Sequence, residues 1–194
     1  MRDPRITMLA RHLVNYSCSI QKGEKVLIEA VGLEVPLVTE LVKQIYEAGG
    51  IPFVTIKDKE VDRSLLMNCT EEQMTLMSKF EASRMSEMNA YIGIRSGSNI
   101  SELADVPSKK MSIYNIHFWS PVHGKIRVPK TKWVVLRYPT SSMAQAANTS
   151  TEAFEDFYFN VCNLDYFRMS EAMDDLVDLM NKTDKVRITG QGTD

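Results

Sequence analysis

Cysteine is scarce in this chain, and its placement excludes two kinds of structural site. Among 194 residues there are three cysteines, Cys18, Cys69 and Cys162, which is an odd number and includes no CxxC pair. Disulfide frameworks need paired cysteines, and structural zinc sites need clustered ones. We therefore expect neither, and predict that the three thiols are buried in apolar surroundings.

Histidine is equally scarce, with only His12, His117 and His123. His117 and His123 are six residues apart, which is not the i, i+4 spacing of a helical zinc motif, and the whole stretch 106–151 lacks Asp and Glu. Catalytic metals typically need three converging protein ligands. We expect none of these histidines to bind a metal.

The motifs of nucleotide binding and of nucleophilic catalysis are also missing. The loop after the first predicted strand has one glycine, Gly32, and the serine in Gly93–Gly97 stands one position late for a GxSxG elbow. Carboxylates near strand ends, Glu29, Glu34 and Asp58, are interpreted as salt-bridged surface groups rather than as an acid–base pair. The residues alone do not reveal a reaction.

Long apolar runs are absent too. The longest, such as Trp133–Leu136, have the length of a strand, far short of the ~20 residues that cross a bilayer. Residues 1–4 contain an acid and a proline where a secretory leader has an apolar run. The net charge of −2 does not favour a nucleic-acid partner. We expect a soluble, cytoplasmic protein with neither a nucleic-acid nor a membrane partner.

Charge is unevenly distributed along the chain. The acid-free stretch 106–151 carries seven Lys and Arg residues, whereas the segment from Glu152 onward has ten acids and four bases. Two interpretations stay open. The stretches are solvated faces of opposite sign, or the basic stretch meets an acidic partner, subunit or substrate carboxylate.

Short apolar segments alternate with segments of helical periodicity along most of the chain. The predicted strands are 25–29, 52–56, 90–94, 133–138 and 185–189. The predicted helices begin at Asp3, Val35, Thr70, Pro107, Ser150 or Thr151, and Asp165. This alternation predicts a three-layer α/β fold with a mainly parallel sheet of about five strands and helices on both faces. Ligands of such sheets bind at the carboxyl ends of the strands.

Several runs of the sequence resemble one family along essentially the whole chain. They are Lys22–Glu29, Val35–Val38, Tyr46–Pro52, Arg137–Ala147, Ser150–Tyr158 and Asp184–Asp194. These runs are similar to the aminopeptidase T family, which includes aminopeptidase S.

The resemblance implies a metal-dependent exopeptidase that removes N-terminal residues from peptides. Members use two divalent ions, often zinc or cobalt, in an enclosed cavity of a homodimer, and their longer chains supply the ligands from a C-terminal domain. By this resemblance, residues 1–194 form a single α/β domain, the N-terminal one of two. The segment is then expected to hold no metal and to be inactive without the catalytic C-terminal domain.

The resemblance also implies that this domain helps to enclose the substrate cavity. Arg137, Tyr138, Thr140 and Ser142 follow the fourth predicted strand and are the candidates for facing that cavity. The alternative is purely conformational: Pro139 ends the strand, Ser142 caps a short helix and Arg137 pairs with a local carboxylate.

A competing hypothesis is a free-standing, doubly wound binding or interaction module. It would bind a small anion at the Gly93–Asn99 loop, or an acidic partner through the basic Lys109–Arg137 region. No catalytic residue is predicted within the chain under either hypothesis.

Overall fold

The computed structural model describes residues 3–32 and 35–193. It divides into two compact units, Met1–Asn163 and Leu164–Asp194. The first unit contains the sheet and most of the helices, and the second contains one long helix.

The sheet of the first unit has four parallel strands in the order β2-β1-β3-β4. The strands are β1 (Lys25–Val31), β2 (Ile51–Lys57), β3 (Ala90–Arg95) and β4 (Lys132–Arg137). The two central strands are apolar almost throughout because both of their faces are covered. The predicted α/β class and the first four predicted strands are confirmed.

Helices precede, connect and follow these strands. In the first unit they are α1 (Pro4–Arg11), a π-helical turn π1 (His12–Ser17), α2 (Val35–Glu47), α3 (Lys59–Met67), α4 (Glu71–Ser86), α5 (Ser108–Tyr114), a π-helical stretch π2 (Asn115–Arg127), α6 (Val128–Lys130), α7 (Ser141–Ala146) and α8 (Thr151–Cys162). The second unit contains α9 (Tyr166–Asn181). None of the described helices is long and apolar enough to cross a bilayer.

Local capping chemistry fixes where several helices begin. The Thr70 hydroxyl accepts from the Gln73 amide, and the Ser150 hydroxyl accepts from the Ala153 amide. Both caps were predicted, since a cap side chain satisfies an amide that the first helical turn leaves unpaired. Asp58 caps α3 in the same way, and that helix was not predicted.

The two faces of the sheet carry different packing. On one face α1, π1, α2 and α8 cover the largest apolar cluster of the described residues. On the other, α4 and π2 cover a smaller cluster that is centred on Leu27, Met85 and Tyr91. Helices therefore lie on both faces, as predicted.

The predicted fifth strand, 185–189, is not a strand in the structure. Its residues have no regular secondary structure, and the side chain of Ile188 is 85% exposed. A strand needs a neighbour to complete its hydrogen bonds, and an apolar run cannot supply one by itself. The helix predicted over 107–119 also differs, because α5 ends at Tyr114 and continues as π2.

All three cysteines are free thiols, and the predicted burial is confirmed for Cys18 and Cys69 but not for Cys162. Cys18 and Cys69 are buried without exposure, and Cys162 is partly exposed. Burial raises the pKa of the Cys18 thiol to about 11.

Candidate functional site

A charged cluster lies on the face of the sheet that α4 and π2 cover. Glu29 of β1 is only 5% exposed. Its Oε1 accepts from the Tyr91 hydroxyl at 2.8 Å and lies 3.3 Å from Arg95 Nη2, and its Oε2 lies 2.9 Å from Lys57 Nζ. The register explains the meeting: Lys57 and Arg95 both pair with Val31, two residues beyond Glu29 and therefore on the same face.

The cluster keeps Glu29 ionised. Burial by itself raises the pKa of this carboxyl, but Lys57, the Tyr91 hydrogen bond and Arg95 outweigh it and bring the pKa to about 2. Burial and the nearby Glu29 charge raise the pKa of Tyr91 well above its ordinary value. A general acid or base needs a pKa near the working pH. Glu29 is thus an ion-paired group, as interpreted from sequence, although it is buried rather than on the surface.

Gly93 makes room for the tyrosine of this cluster. A Cβ atom at Gly93 would lie 2.8 Å from Tyr91 Cε1 and 3.1 Å from Val135 Cγ2. Because no side chain fills that space, the Tyr91 ring can lie along the sheet and bring its hydroxyl to Glu29. The glycine is therefore a steric requirement of the cluster.

His123 of π2 is buried beside the cluster, next to an arginine. Its Nδ1 accepts from Arg127 Nε at 3.1 Å, and the Arg127 guanidinium lies 5.0 Å from the Tyr91 ring centre and 4.7 Å from that of Trp133. Burial lowers the pKa of His123 to about 4, so the ring is neutral at pH 7 with its proton on Nε2. Aromatic faces rather than a carboxylate surround the Arg127 charge.

The described residues do not assemble a metal site. Within 3–32 and 35–193 no group of three His, Cys, Asp or Glu side chains is placed to hold a metal ion. His117 Nε2 lies 3.8 Å from a carboxylate oxygen of Glu71, and His123 is engaged with Arg127. His12 lies in π1, at the end of the first helix. The donor set in this part of the chain does not fit the two ions that the resemblance implies.

A cavity of about 230 Å³ opens at the carboxyl ends of β3 and β4. It is lined by the cationic side chains Lys59, Arg95 and Arg137 together with Ser96, Gly97, Thr140 and Ser142. Three of the four predicted cavity residues, Arg137, Thr140 and Ser142, thus lie together in one wall. We refer to this as the carboxyl-edge cavity.

Thr140 and Ser142 hold the wall of the carboxyl-edge cavity in place. The Ser142 hydroxyl donates to the Gly97 carbonyl at 2.8 Å, and the Thr140 hydroxyl lies 2.9 Å from Ser142 Oγ. Since Ser142 has already used its proton, Thr140 is the donor of the second bond. Thr140, not Ser142, also caps α7, because its position before the helix lets Oγ1 face the Met143 amide at 3.4 Å. These bonds join the loop after β3 to the start of α7.

Tyr138 does not line this cavity. Its ring packs near Tyr158 and Phe159, with centroids 6.4 and 6.3 Å away, on the apolar face of the sheet. Successive side chains of an extended segment point to opposite faces, so Tyr138 points away from the side that Arg137 occupies. Tyr138 thus lies apart from Arg137, Thr140 and Ser142, and the prediction that these four residues face the substrate cavity stays a prediction.

Arg137 is exposed, and no described carboxylate lies within 4 Å of its guanidinium. The conformational alternative, a local ion pair for Arg137, is therefore not found in the described part of the chain. Glu34 lies outside the described residues. Asp58 is at the same edge, where its Oδ1 accepts from the Glu60 and Val61 amides.

The sequence-based search missed Lys59 and Arg95. Lys59 is the first residue of α3, two residues beyond the end of β2, and Arg95 is the last residue of β3. The rule that ligands bind at carboxyl ends of parallel strands applies to both, so a search of every strand end for cations would have found them.

The fold and its edge cavity can now be compared with known proteins. The structure of wild-type AmpT from Thermus thermophilus aligns with a TM-score of 0.64 at 19% sequence identity. The alignment covers 82% of this chain and 43% of that one, so the chain spans less than half of its relative. An alcohol dehydrogenase superfamily protein from Novosphingobium aromaticivorans aligns over 81% of this chain and 47% of its own, at 12% identity and a TM-score of 0.34. No curated protein matches the chain in sequence.

The sequence match defines the class of the protein more narrowly than the fold does. The sequence model of a metalloprotease family, described as thermophilic metalloproteases (M29), matches residues 2–194. The chain belongs to the M29 family of thermophilic metalloproteases. The predicted resemblance to a metallopeptidase family is confirmed.

Proposed function

We propose that this chain is the N-terminal scaffold and cavity-lining domain of a metal-dependent aminopeptidase. In this proposal the complete enzyme removes N-terminal residues from peptides with two divalent ions, such as zinc or cobalt, whose ligands lie in a C-terminal domain. It acts as a homodimer in the cytoplasm. The observation that carries the proposal is the M29 match over residues 2–194 in a chain whose described residues form no metal-ligating group.

The chain's own contribution is shape and charge. The charged cluster around Glu29 fixes Arg95 at the end of β3, and the Thr140–Ser142–Gly97 bonds join the loop after β3 to the start of α7. Groups held by packing and hydrogen bonds can bind and orient a substrate without ordering themselves first. Arg137, Thr140 and Ser142 are proposed to face the substrate cavity of the complete enzyme.

An activity assay on the chain itself tests the proposal that the metal ligands lie in the C-terminal domain. The chain is incubated with amino-acid p-nitroanilides in the presence of zinc or cobalt, and a parallel sample contains a chelator. We expect no metal-dependent release of p-nitroaniline, because the described residues offer no ligand set. Turnover that needs the metal and disappears with the chelator would show that the ligands are in this chain and would overturn the scaffold proposal.

A further inference from the structure

We propose that the carboxyl-edge cavity binds a carboxylate, namely the C-terminal carboxylate of a short peptide. That the cavity takes a carboxylate is inferred from its own residues. That the carboxylate is a peptide's rests on the proposed function. The site would hold the far end of a substrate whose N-terminal end is attacked elsewhere.

The arrangement of cations is the first argument. Arg95 and Arg137 stand directly opposite each other on the paired strands β3 and β4, and Lys59 lines the same cavity. Glu29 already pairs with Arg95, whereas no described carboxylate balances the charges of Arg137 and Lys59. An anion in the cavity would balance these two charges.

The second argument concerns which of these cations is already engaged. Arg95 is bound to Glu29 and Tyr91, whereas Lys59 Nζ donates to the Asn99 carbonyl at 3.3 Å. No described carboxylate lies within 4 Å of Lys59 or Arg137. The Arg137 guanidinium can therefore offer a pair of parallel N–H donors, the geometry that fits a carboxylate.

The acids nearby favour a ligand with a single negative charge. Asp58, Glu60 and Glu102 line an adjoining cavity that shares Lys59, Ser96 and Gly97 with the carboxyl-edge cavity. Their charges repel a second negative charge on the ligand, which disfavours a phosphate dianion relative to a carboxylate.

The size and rigidity of the cavity fit the end of a peptide. A volume of about 230 Å³ is below the ~300–1,000 Å³ of pockets for drug-sized ligands, so it suits one residue rather than a whole cofactor. Both hydroxyl protons of Thr140 and Ser142 are used within the wall. The donors that remain for a ligand are thus the Arg137 guanidinium and the other N–H groups of the Lys59 ammonium, not the two hydroxyls.

Binding to the isotopically labelled chain, followed by NMR, tests this inference. The probes are the tripeptide Leu-Gly-Gly, its C-terminal amide and inorganic phosphate. We expect the free acid to shift the backbone amides of Gly97 and Ser98 and the amide to bind at least tenfold more weakly. Arg137→Gln and Lys59→Gln should each weaken binding of the free acid about tenfold, the loss of one charge-assisted contact.

Lys130→Gln is the matched control. It removes one positive charge from an exposed side chain at the opposite end of β4, and we expect it to leave binding unchanged. Equal affinity for acid and amide, tighter binding of phosphate than of the free acid, or unchanged binding by Arg137→Gln would each overturn the inference. Since p-nitroanilides carry no C-terminal carboxylate, the activity assay can fail or succeed independently of this result.

Discussion

The two faces of the sheet are built by the same strands, and the two central strands carry charged side chains on only one of them. On the face under α1, α2 and α8, the central strands contribute six apolar side chains without exposure: Val26, Ile28, Ala30, Ala90, Ile92 and Ile94. On the other face the alternate positions of the same strands bring Glu29, Tyr91 and Arg95 together. The alternation of an extended chain separates the two sets.

The difference shows which face stabilises the domain and which one serves a site. Burying apolar area lowers the free energy of the folded chain by itself. Burying a charge costs desolvation free energy, which is offset only where ion pairs and hydrogen bonds of good geometry replace the water. The charged face is therefore expected to contribute less to the free energy of unfolding than the apolar face does. It does hold Arg95 at the edge of the sheet, where the carboxyl-edge cavity opens.

The largest expected effect is on the apolar face. Ile92→Ala should lower the free energy of unfolding by about 4 kcal/mol, because the side chain is fully buried and its loss leaves a cavity. Urea denaturation measures the change. Ile188→Ala, the same truncation at an exposed side chain, should change it by less than about 0.5 kcal/mol. Similar costs at both sites would contradict the packing of this face.

The next effect is on the charged face. Glu29→Gln should cost about 3 kcal/mol, since it leaves Lys57 and Arg95 without their shared anion in a largely buried place. The same denaturation measurement applies. Glu87→Gln breaks the exposed ion pair with Lys25 and should have no measurable effect. If Glu29→Gln leaves the free energy of unfolding unchanged, the cluster does not stabilise the domain and serves only to specify how its side chains are arranged.

Lowering the pH should gradually reduce the free energy of unfolding through the buried titratable groups of the charged face. His123 has a pKa of about 4 in the folded chain, below the ordinary 6.5, so the unfolded chain binds more protons between these values. Stability should therefore fall by about 2 kcal/mol as the pH drops from 6.5 to 4. Below pH 4.5 Glu29, whose pKa is also depressed, continues the loss with the same sign. In His123→Gln the decline above pH 4.5 should be reduced, and an unchanged decline would contradict the assignment.

The smallest effect is expected at the edge of the sheet. Arg137→Gln should change the free energy of unfolding by less than about 0.5 kcal/mol, because the side chain is exposed and no described carboxylate pairs with it. A thermal or urea unfolding curve would test this. A cost above 1 kcal/mol would make Arg137 a structural residue rather than a binding one.

The features predicted from sequence were those that local chemistry decides. Thr70 and Ser150 cap helices through contacts three residues away, and the apolar runs of β1 and β3 mark strands that are covered on both faces. The missed helix α3 follows the same chemistry, since Asp58 is a typical cap. Segment 185–189 has the composition of a strand but no neighbour to pair with.

The candidate site was only partly predictable, because its residues meet through strand order. The rule of carboxyl ends led to Arg137, Thr140 and Ser142. Contacts between β1, β2 and β3 depend on register across dozens of residues, so the partners of Glu29 could not be read from spacing. Tyr138 lies apart from the other three candidates because the alternation of side chains continues just beyond the end of β4.

The rate at which Cys18 is alkylated can report local opening of the domain. Its thiol has no exposure and lies 4.0 Å from the Tyr91 carbonyl oxygen, at the centre of the sheet. With a pKa of about 11 the thiol contributes almost no nucleophilic thiolate at neutral pH, so an alkylating reagent reacts with it only after α1 and π1 move away from the sheet. Cys162, which is partly exposed, reacts from the closed chain. The ratio of the two labelling rates therefore reports how often α1 and π1 leave the apolar face of the sheet.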